Sequence, residues 1–122
     1  MRISKAFRFE AAHRLATWPA GHKCHRLHGH SYRVIITVKG KVNINTGAVM
    51  DFADISALWR DTFHSRFDHQ NLNDVLHREN VTAEDLARII YEGLYVSGLH
   101  NIDQVTVFET EDAWATYEGA GK

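Results

Sequence analysis

The chain has 122 residues, of which 44% are hydrophobic and 24% charged. This balance is typical of a folded globular protein and excludes an intrinsically disordered chain. A formal net charge of −1, with no basic stripe, argues against a protein that binds nucleic acid or an anionic membrane surface.

The length predicts a single domain over residues 1–122. No run approaches the roughly 18 apolar residues of a transmembrane helix, and the first five residues lack the apolar core of a secretion signal. We therefore expect a cytoplasmic protein with no membrane partner. The only cysteine, Cys24, cannot form a disulfide within the chain, which leaves a metal ligand, a reactive thiol or a buried packing residue.

Alternating hydrophobicity predicts two long strands in the first third of the chain. Over residues 2–13, Phe7 and Phe9 share one face with other apolar side chains, and His13 ends the strand on that face. Residues 29–39 again alternate between apolar and polar side chains. His28 and His30 lie an even number of residues before the apolar positions, so they share the apolar face. The long connection between the two strands carries the only proline, and loops of this length in a compact domain are usually functional or disordered.

Two helices are predicted in the middle of the chain. Asp51 or Asp54 can cap the first, which keeps a helical apolar spacing as far as Phe63. A polar loop over residues 68–73 follows. The second helix begins with a capping box at Thr82 and ends before a glycine stop signal.

The remaining strand signals are shorter. A tight turn precedes residues 48–50, which we expect to add a short strand, and alternation predicts two final strands around residues 105–109 and 113–117. The predicted order is β-β-α-α-β-β, which is an α+β domain.

The segment His22–His30 contains four of the nine histidines and the only cysteine. Within a strand, His28 and His30 project from the same face, because strand side chains alternate. Catalytic zinc sites use three protein ligands, and His13 is the candidate third. Two alternatives stay open: His13 is a packed core residue, or Cys24 is the fourth ligand of a closed structural zinc site.

A candidate proton-transfer group lies near this cluster and in the polar loop. Lys23, Arg26 and a bound dication would favour the thiolate form of Cys24. A thiolate that moves protons needs a relaying partner, and Asp68 and His69 provide a carboxylate and an imidazole. The alternative is that Asp68 caps a turn beside an exposed histidine.

Glu109 interrupts the apolar face of a predicted strand. It follows Val105 and Val107 with the same parity, and an unpaired buried carboxylate is costly. An arginine could meet it, or a ligand edge with adjacent N–H groups such as a 2-amino-4-oxo pyrimidine ring. The alternative is that the strand ends at Phe108 and that Glu109 is solvated.

These motifs together resemble the family of 6-pyruvoyl-tetrahydropterin and 6-carboxy-tetrahydropterin synthases. The most specific element is Cys-x-x-x-His-Gly-His at residues 24–30 with Ala-Ala-His upstream at residues 11–13. The likeness is carried by residues 9–15, 24–32, 47–52, 68–69 with 72–73, 82–84 and 109–110, so it spans almost the whole chain. The short length is closer to the bacterial 6-carboxy branch, which makes a precursor of queuosine and other deazapurines.

The resemblance implies a fold, an assembly and a cofactor. The fold would be the T-fold, with a four-stranded antiparallel sheet and two helices on one face. Sheets from three chains would close a barrel, and two trimers would stack as a homohexamer with sites between subunits. One Zn²⁺ per chain would bind His13, His28 and His30. A proline commonly precedes the threonine of the second helix in this family, whereas this chain has Val81.

The resemblance also implies the reaction and the remaining site residues. Cys24 with Asp68 and His69 would transfer protons, and Glu109 with Thr110 would anchor the pterin ring. The substrate would be 7,8-dihydroneopterin triphosphate, and the expected lyase releases acetaldehyde and triphosphate to leave 6-carboxy-5,6,7,8-tetrahydropterin. One alternative is a 6-pyruvoyl-tetrahydropterin synthase, which retains the side chain, and another is a non-catalytic pterin- or zinc-binding protein.

Overall fold

The computed structural model contains one mixed sheet with helices packed against one face. It describes residues 1–120, so the last two residues of the predicted domain, 121–122, lie outside the described part. The strands are β1 (Arg2–His13), β2 (His28–Lys39), β3 (Gln70–Asn71), β4 (Ile102–Thr110) and β5 (Ala113–Tyr117). Their spatial order is β3-β1-β2-β4-β5. The α+β class predicted from the sequence is confirmed.

The long strands β1 and β2 form an antiparallel pair that runs their whole length, from Arg2 opposite Lys39 to His13 opposite His28. Burial alternates along β1 as the predicted apolar parity requires. The loop between the strands contains a short 3₁₀ turn, Lys23–His25. The pairing therefore brings the two ends of this loop together at one end of the sheet.

The helices cover the apolar face of the sheet. They are α1 (Phe52–Trp59), α2 (Ser65–Phe67), α3 (Leu72–Leu76) and α4 (Ala83–Val96), and a π-helical turn, Arg60–His64, joins α1 to α2. Trp59 stacks on Phe7 with ring centroids 5.4 Å apart. Asp51 caps α1, and Thr82 forms the predicted capping box with Asp85 at the start of α4.

The sheet differs from the predicted four-stranded antiparallel one. It has five strands in the described residues, because Gln70 and Asn71 pair in parallel with Ala11 and Ala12 of β1. Two residues are too few to show alternation, so the sequence pattern assigned them to a loop. The five residues of the short helix α3 are likewise too few to show a helical period, so the sequence pattern does not predict this helix.

The expected short strand at residues 48–50 is wrong. These residues form no strand, although the turn before them is present and places Gly47 at φ +75°. The Gly47 N–H donates to the Asn43 carbonyl at 2.7 Å. The backbone thus turns directly into the N-terminus of α1. Among residues 1–120, no helix is long and apolar enough to cross a membrane.

Candidate active site

Three histidines meet at one end of the β1–β2 pair. His13 lies opposite His28 in the register, and His30 lies opposite Ala11. The three ring centroids are 4.6 to 5.0 Å apart, and one ligand nitrogen from each lies within 4.8 Å of the others. The antiparallel register produces this convergence, because it places the apolar positions of β1 opposite the apolar positions of β2. All three histidines therefore lie on the same face of the sheet. The group could hold a metal ion.

The hydrogen bonds of these imidazoles suit metal binding. His13 Nδ1 lies 2.6 Å from the Val81 carbonyl oxygen, and His28 Nδ1 lies 2.7 Å from that of Arg26. A carbonyl only accepts, so each Nδ1 carries the proton and leaves an Nε2 lone pair. The Nε2 atoms of His13 and His30 are buried without a hydrogen-bond partner in the described part of the chain. Neutral nitrogens in this arrangement fit a divalent cation such as Zn²⁺.

The protonation of the cluster also agrees with a metal site. Burial lowers the pKa values of His13 and His30 below their ordinary value, against the opposite influence of Glu109. The Val81 carbonyl likewise favours the protonated form of His13. Burial is the largest cause for both, so the folded chain favours the neutral form of the two imidazoles. Imidazoles bind metals in this neutral form.

Glu109 lies beside the histidine cluster. Its Oε1 is 3.4 Å from His30 Nε2, and its side chain is 28% exposed. Strand β4 continues past it to Thr110, so the alternative in which the strand ends at Phe108 is wrong. The β4–β5 register skips Glu109, since Phe108 pairs with Trp114 and Thr110 with Ala113. Such irregularities redirect side chains and are common near active sites.

Glu109 also lines a cavity. The cavity has a volume of about 350 Å³, and Ala83, Glu84 and Trp114 contribute to its lining. Thr110, by contrast, turns toward the β4–β5 turn, where its Oγ1 donates to Asp112 Oδ1 at 2.9 Å. The carboxylate of Glu109 is therefore available to a ligand, whereas the hydroxyl of Thr110 is engaged.

Asp68 and His69 form a hydrogen-bonded pair. His69 Nδ1 is 2.9 Å from Asp68 Oδ2, and the Glu10 N–H donates to Asp68 Oδ1 at 2.9 Å. The His69 N–H donates in turn to the Glu10 carbonyl at 2.5 Å. The pKa of Asp68 lies below its ordinary value, first because of the Glu10 N–H and then because of His69. Asp68 is thus a carboxylate that orients the His69 ring.

The backbone of His69 is unusual, and its side chain faces a second cavity. His69 has φ +60°, a left-handed conformation that is uncommon for residues other than glycine and clusters at functional sites. Its ring is 78% exposed. The cavity has a volume of about 520 Å³ and is also lined by His30, Glu10 and Ser31. Glu10 and Ser31 have the strand parity opposite to that of His13 and His30. This cavity therefore lies mainly on the face of the β1–β2 pair opposite the histidine cluster.

Among the three predicted proton-transfer residues, Cys24 is the one that is not joined to the Asp68–His69 pair within a single chain. It is half-buried in the 3₁₀ turn, and its N–H donates to His22 Nδ1 at 3.0 Å. Within residues 1–120, no hydrogen bond or ion pair joins Cys24 to Asp68 or His69. The proton-transfer role of all three residues stays a prediction.

Sequence reasoning missed two residues that shape the site. Glu10 has the parity of the exposed face of β1, yet its backbone holds the Asp68–His69 pair. Its carboxylate accepts from Ser31 Oγ at 2.6 Å. Tyr32 has the parity of the apolar face of β2, opposite Phe9. Its hydroxyl is fully buried next to the histidine cluster without a partner in the described residues. The strand alternation shows neither contact.

The chain is similar to known proteins over nearly its full length. A family profile described as 6-pyruvoyl tetrahydropterin synthase matches residues 2–120. A putative 6-carboxy-5,6,7,8-tetrahydropterin synthase of Archaeoglobus fulgidus is 37% identical over 115 residues, which cover 94% of this chain and 93% of the relative. A 6-carboxy-5,6,7,8-tetrahydropterin synthase of Synechocystis is 38% identical over 119 residues, with coverage of 94% and 91%.

Relatives from animals are similar as well. The human 6-pyruvoyl tetrahydrobiopterin synthase is 31% identical over 132 aligned positions, which cover 97% of this chain and 91% of the human one. The solved structure of the 6-pyruvoyl tetrahydropterin synthase of Caenorhabditis elegans superposes with a TM-score of 0.87 at 26% identity, with coverage of 98% and 96%. Sequence and fold therefore point to the same family.

Proposed function

The chain belongs to the 6-pyruvoyl tetrahydropterin synthase family, and on this premise we propose that it is a zinc-dependent 6-carboxy-5,6,7,8-tetrahydropterin synthase. The observation that supports the proposal most is the convergence of His13, His28 and His30 within 4.8 Å. Carbonyl contacts at Nδ1 leave the Nε2 atoms of His13 and His28 free to bind a metal. The names of the relatives from Archaeoglobus and Synechocystis favour the 6-carboxy reaction.

The proposed substrate is 7,8-dihydroneopterin triphosphate. The products are 6-carboxy-5,6,7,8-tetrahydropterin, acetaldehyde and triphosphate, and the carboxylated product would serve the synthesis of queuosine and other deazapurines. The Glu109 carboxylate faces a cavity of about 350 Å³ and would accept two N–H groups from the pyrimidine edge of the pterin. A carboxylate accepts two parallel N–H bonds well.

One Zn²⁺ per chain, bound by the three histidines, would supply Lewis-acid polarisation to oxygen atoms of the substrate side chain. The residues of the chain would move the protons. Asp68 accepts from His69 Nδ1 at 2.9 Å, which leaves His69 Nε2 to take or give a proton. Cys24 would act as the partner base as its thiolate.

The separation of Cys24 from the Asp68–His69 pair supports a site shared between subunits. Strand β5 is an edge of the sheet, and β3 covers only Ala11 and Ala12 of β1. Uncovered edges are templates for pairing with another chain, and a closed barrel removes them. We propose a homohexamer of two trimers, in which a neighbouring chain completes each site, and a cytoplasmic location.

The deciding experiment is incubation of the zinc-loaded protein with 7,8-dihydroneopterin triphosphate, followed by identification of all products. Acetaldehyde together with a 6-carboxy pterin supports the proposal. A 6-pyruvoyl product would identify the other reaction of the family, and an absence of turnover would favour a pterin- or zinc-binding protein. A chelated sample of the same preparation tests whether turnover needs the metal.

A further inference from the structure

A second imidazole approaches the carboxylate of the Asp68–His69 pair. His64 Nε2 lies 3.6 Å from Asp68 Oδ2, the same oxygen that lies 2.9 Å from His69 Nδ1. The distance of 3.6 Å between His64 Nε2 and Asp68 Oδ2 is longer than the donor–acceptor distance of a hydrogen bond. His64 therefore acts on this oxygen through its charge. Two imidazoles therefore approach the same oxygen atom of Asp68, one in close contact and one through its charge.

The position of His64 is determined by the backbone and by packing. It ends the π-helical turn Arg60–His64, and turns of this kind are rare and frequent at functional sites. The Asp68 N–H donates to the His64 carbonyl at 2.8 Å, which closes a helical turn between the two residues. The preceding residue, Phe63, packs so closely on Gly93 of α4 that a Cβ at this glycine would overlap the ring.

Several charged groups on the elements around His64 have other partners. On its own helical segment, Arg60 and Asp61 form an ion pair of 3.5 Å. Arg66 lies over the rings of Phe63 and Phe67. On the packed helix α4, Arg88 and Glu92 pair with each other, and on β1 the Glu10 carboxylate accepts from Ser31.

We propose that His64 sets the basicity of His69 through the Asp68 oxygen that they share. When His64 is protonated, its charge attracts the carboxylate and repels a proton on His69, so His69 becomes a weaker base. When His64 is neutral, the full carboxylate charge supports a protonated His69. Electrostatic interaction with His64 also lowers the pKa of Asp68, in addition to the effects of Glu10 and His69. His64 acts through Asp68 and is therefore a positioning residue.

The effect is measured by NMR titration of the His69 ring in the metal-free protein, with the signal assigned from His69→Asn. In His64→Gln the side chain is neutral at every pH, and in His64→Lys it is charged throughout. We expect the His69 titration midpoint to be highest in His64→Gln, lowest in His64→Lys and intermediate in the parent. The two variants should differ by about 0.3–0.5 pH unit, the effect of one charge roughly 7 Å away in water.

His100→Gln is the matched control, because His100 contacts Tyr95 and lies outside the proposed site. It should leave the His69 midpoint unchanged, and thermal melting of each variant tests for intact folding. Equal His69 midpoints in the two folded His64 variants would overturn the proposal. The reverse order of midpoints would overturn it as well.

The proposal rests on the proposed function only where it concerns catalysis. In the zinc-loaded enzyme, the acid limb of kcat/KM against pH should shift in the same order as the NMR midpoints. Ordered midpoints without a matching shift in the rate profile would support the His64 effect and refute the catalytic role of His69. Equal midpoints in an active enzyme would refute the His64 effect alone.

Discussion

Replacement of Glu109 by glutamine tests whether this carboxylate anchors the pterin ring. Two charge-assisted hydrogen bonds are worth about 1.5–3 kcal/mol each, and the variant loses one acceptor and presents an NH₂ group to a donor edge. Because the Glu109 side chain is 28% exposed, water weakens the interaction. We expect a loss of about 2–4 kcal/mol, which is roughly 30- to 700-fold in kcat/KM at about 1.4 kcal/mol per decade.

Isothermal titration with a pterin product and steady-state kinetics measure the effect directly. Glu84→Gln is the matched control, because Glu84 lines the same cavity and has no proposed contact with the ring. Zinc content should be the same in both variants and the parent, since Glu109 is not assigned as a ligand. Equal pterin affinities for Glu109→Gln and the parent, or an equal loss in Glu84→Gln, would show that the ring is anchored elsewhere.

Three further outcomes follow from the histidine cluster. Elemental analysis should find about one zinc per chain. His28→Ala should lose this zinc, whereas Cys24→Ala should keep the zinc and lose turnover. Loss of zinc in Cys24→Ala would favour the closed structural site. Tyr32→Phe should stabilise the metal-free chain by about 1 kcal/mol in denaturant titration, because it removes a buried hydroxyl without a partner, and a clear loss of stability would contradict this. Burial lowers the pKa values of His13 and His30, so the unfolded chain binds more protons than the folded one. The metal-free protein should therefore have its full stability above about pH 6.5 and lose stability as the pH falls. A higher stability at about pH 5.5 than at about pH 7.5 would refute this direction of the pH dependence.

Local patterns in the sequence were sufficient for the long elements. The strand β1 was predicted with the bounds Arg2–His13 that the structure has, and the capping box at Thr82 marked the start of α4. Gly98, the predicted stop signal, has φ +120° just beyond that helix. These features depend on residues adjacent in the chain, so periodicity and capping chemistry suffice to predict them.

Short elements and long-range backbone contacts could not be predicted in this way. The two residues of β3 form a strand only because Ala11 and Ala12 lie beside them, and the π-helical turn before His64 has no distinct sequence pattern. The role of Glu10 depends on its backbone N–H and carbonyl, which bind Asp68 and His69 across 58 and 59 residues of chain. Backbone hydrogen-bonding groups are the same in every residue except proline, so the pattern of side chains cannot predict such contacts.

Strand parity can be read from the sequence, and it places His13, His28 and His30 at the apolar positions of their strands, so these side chains could meet. The tertiary structure decided that they do meet, through the register that sets His13 opposite His28. It also placed Glu109 at a register irregularity 3.4 Å from His30. In the described residues, no hydrogen bond or ion pair joins Cys24 to Asp68. Parity is a property of a single strand, whereas register and separation depend on the pairing of distant segments, which is why only the folded chain could decide them.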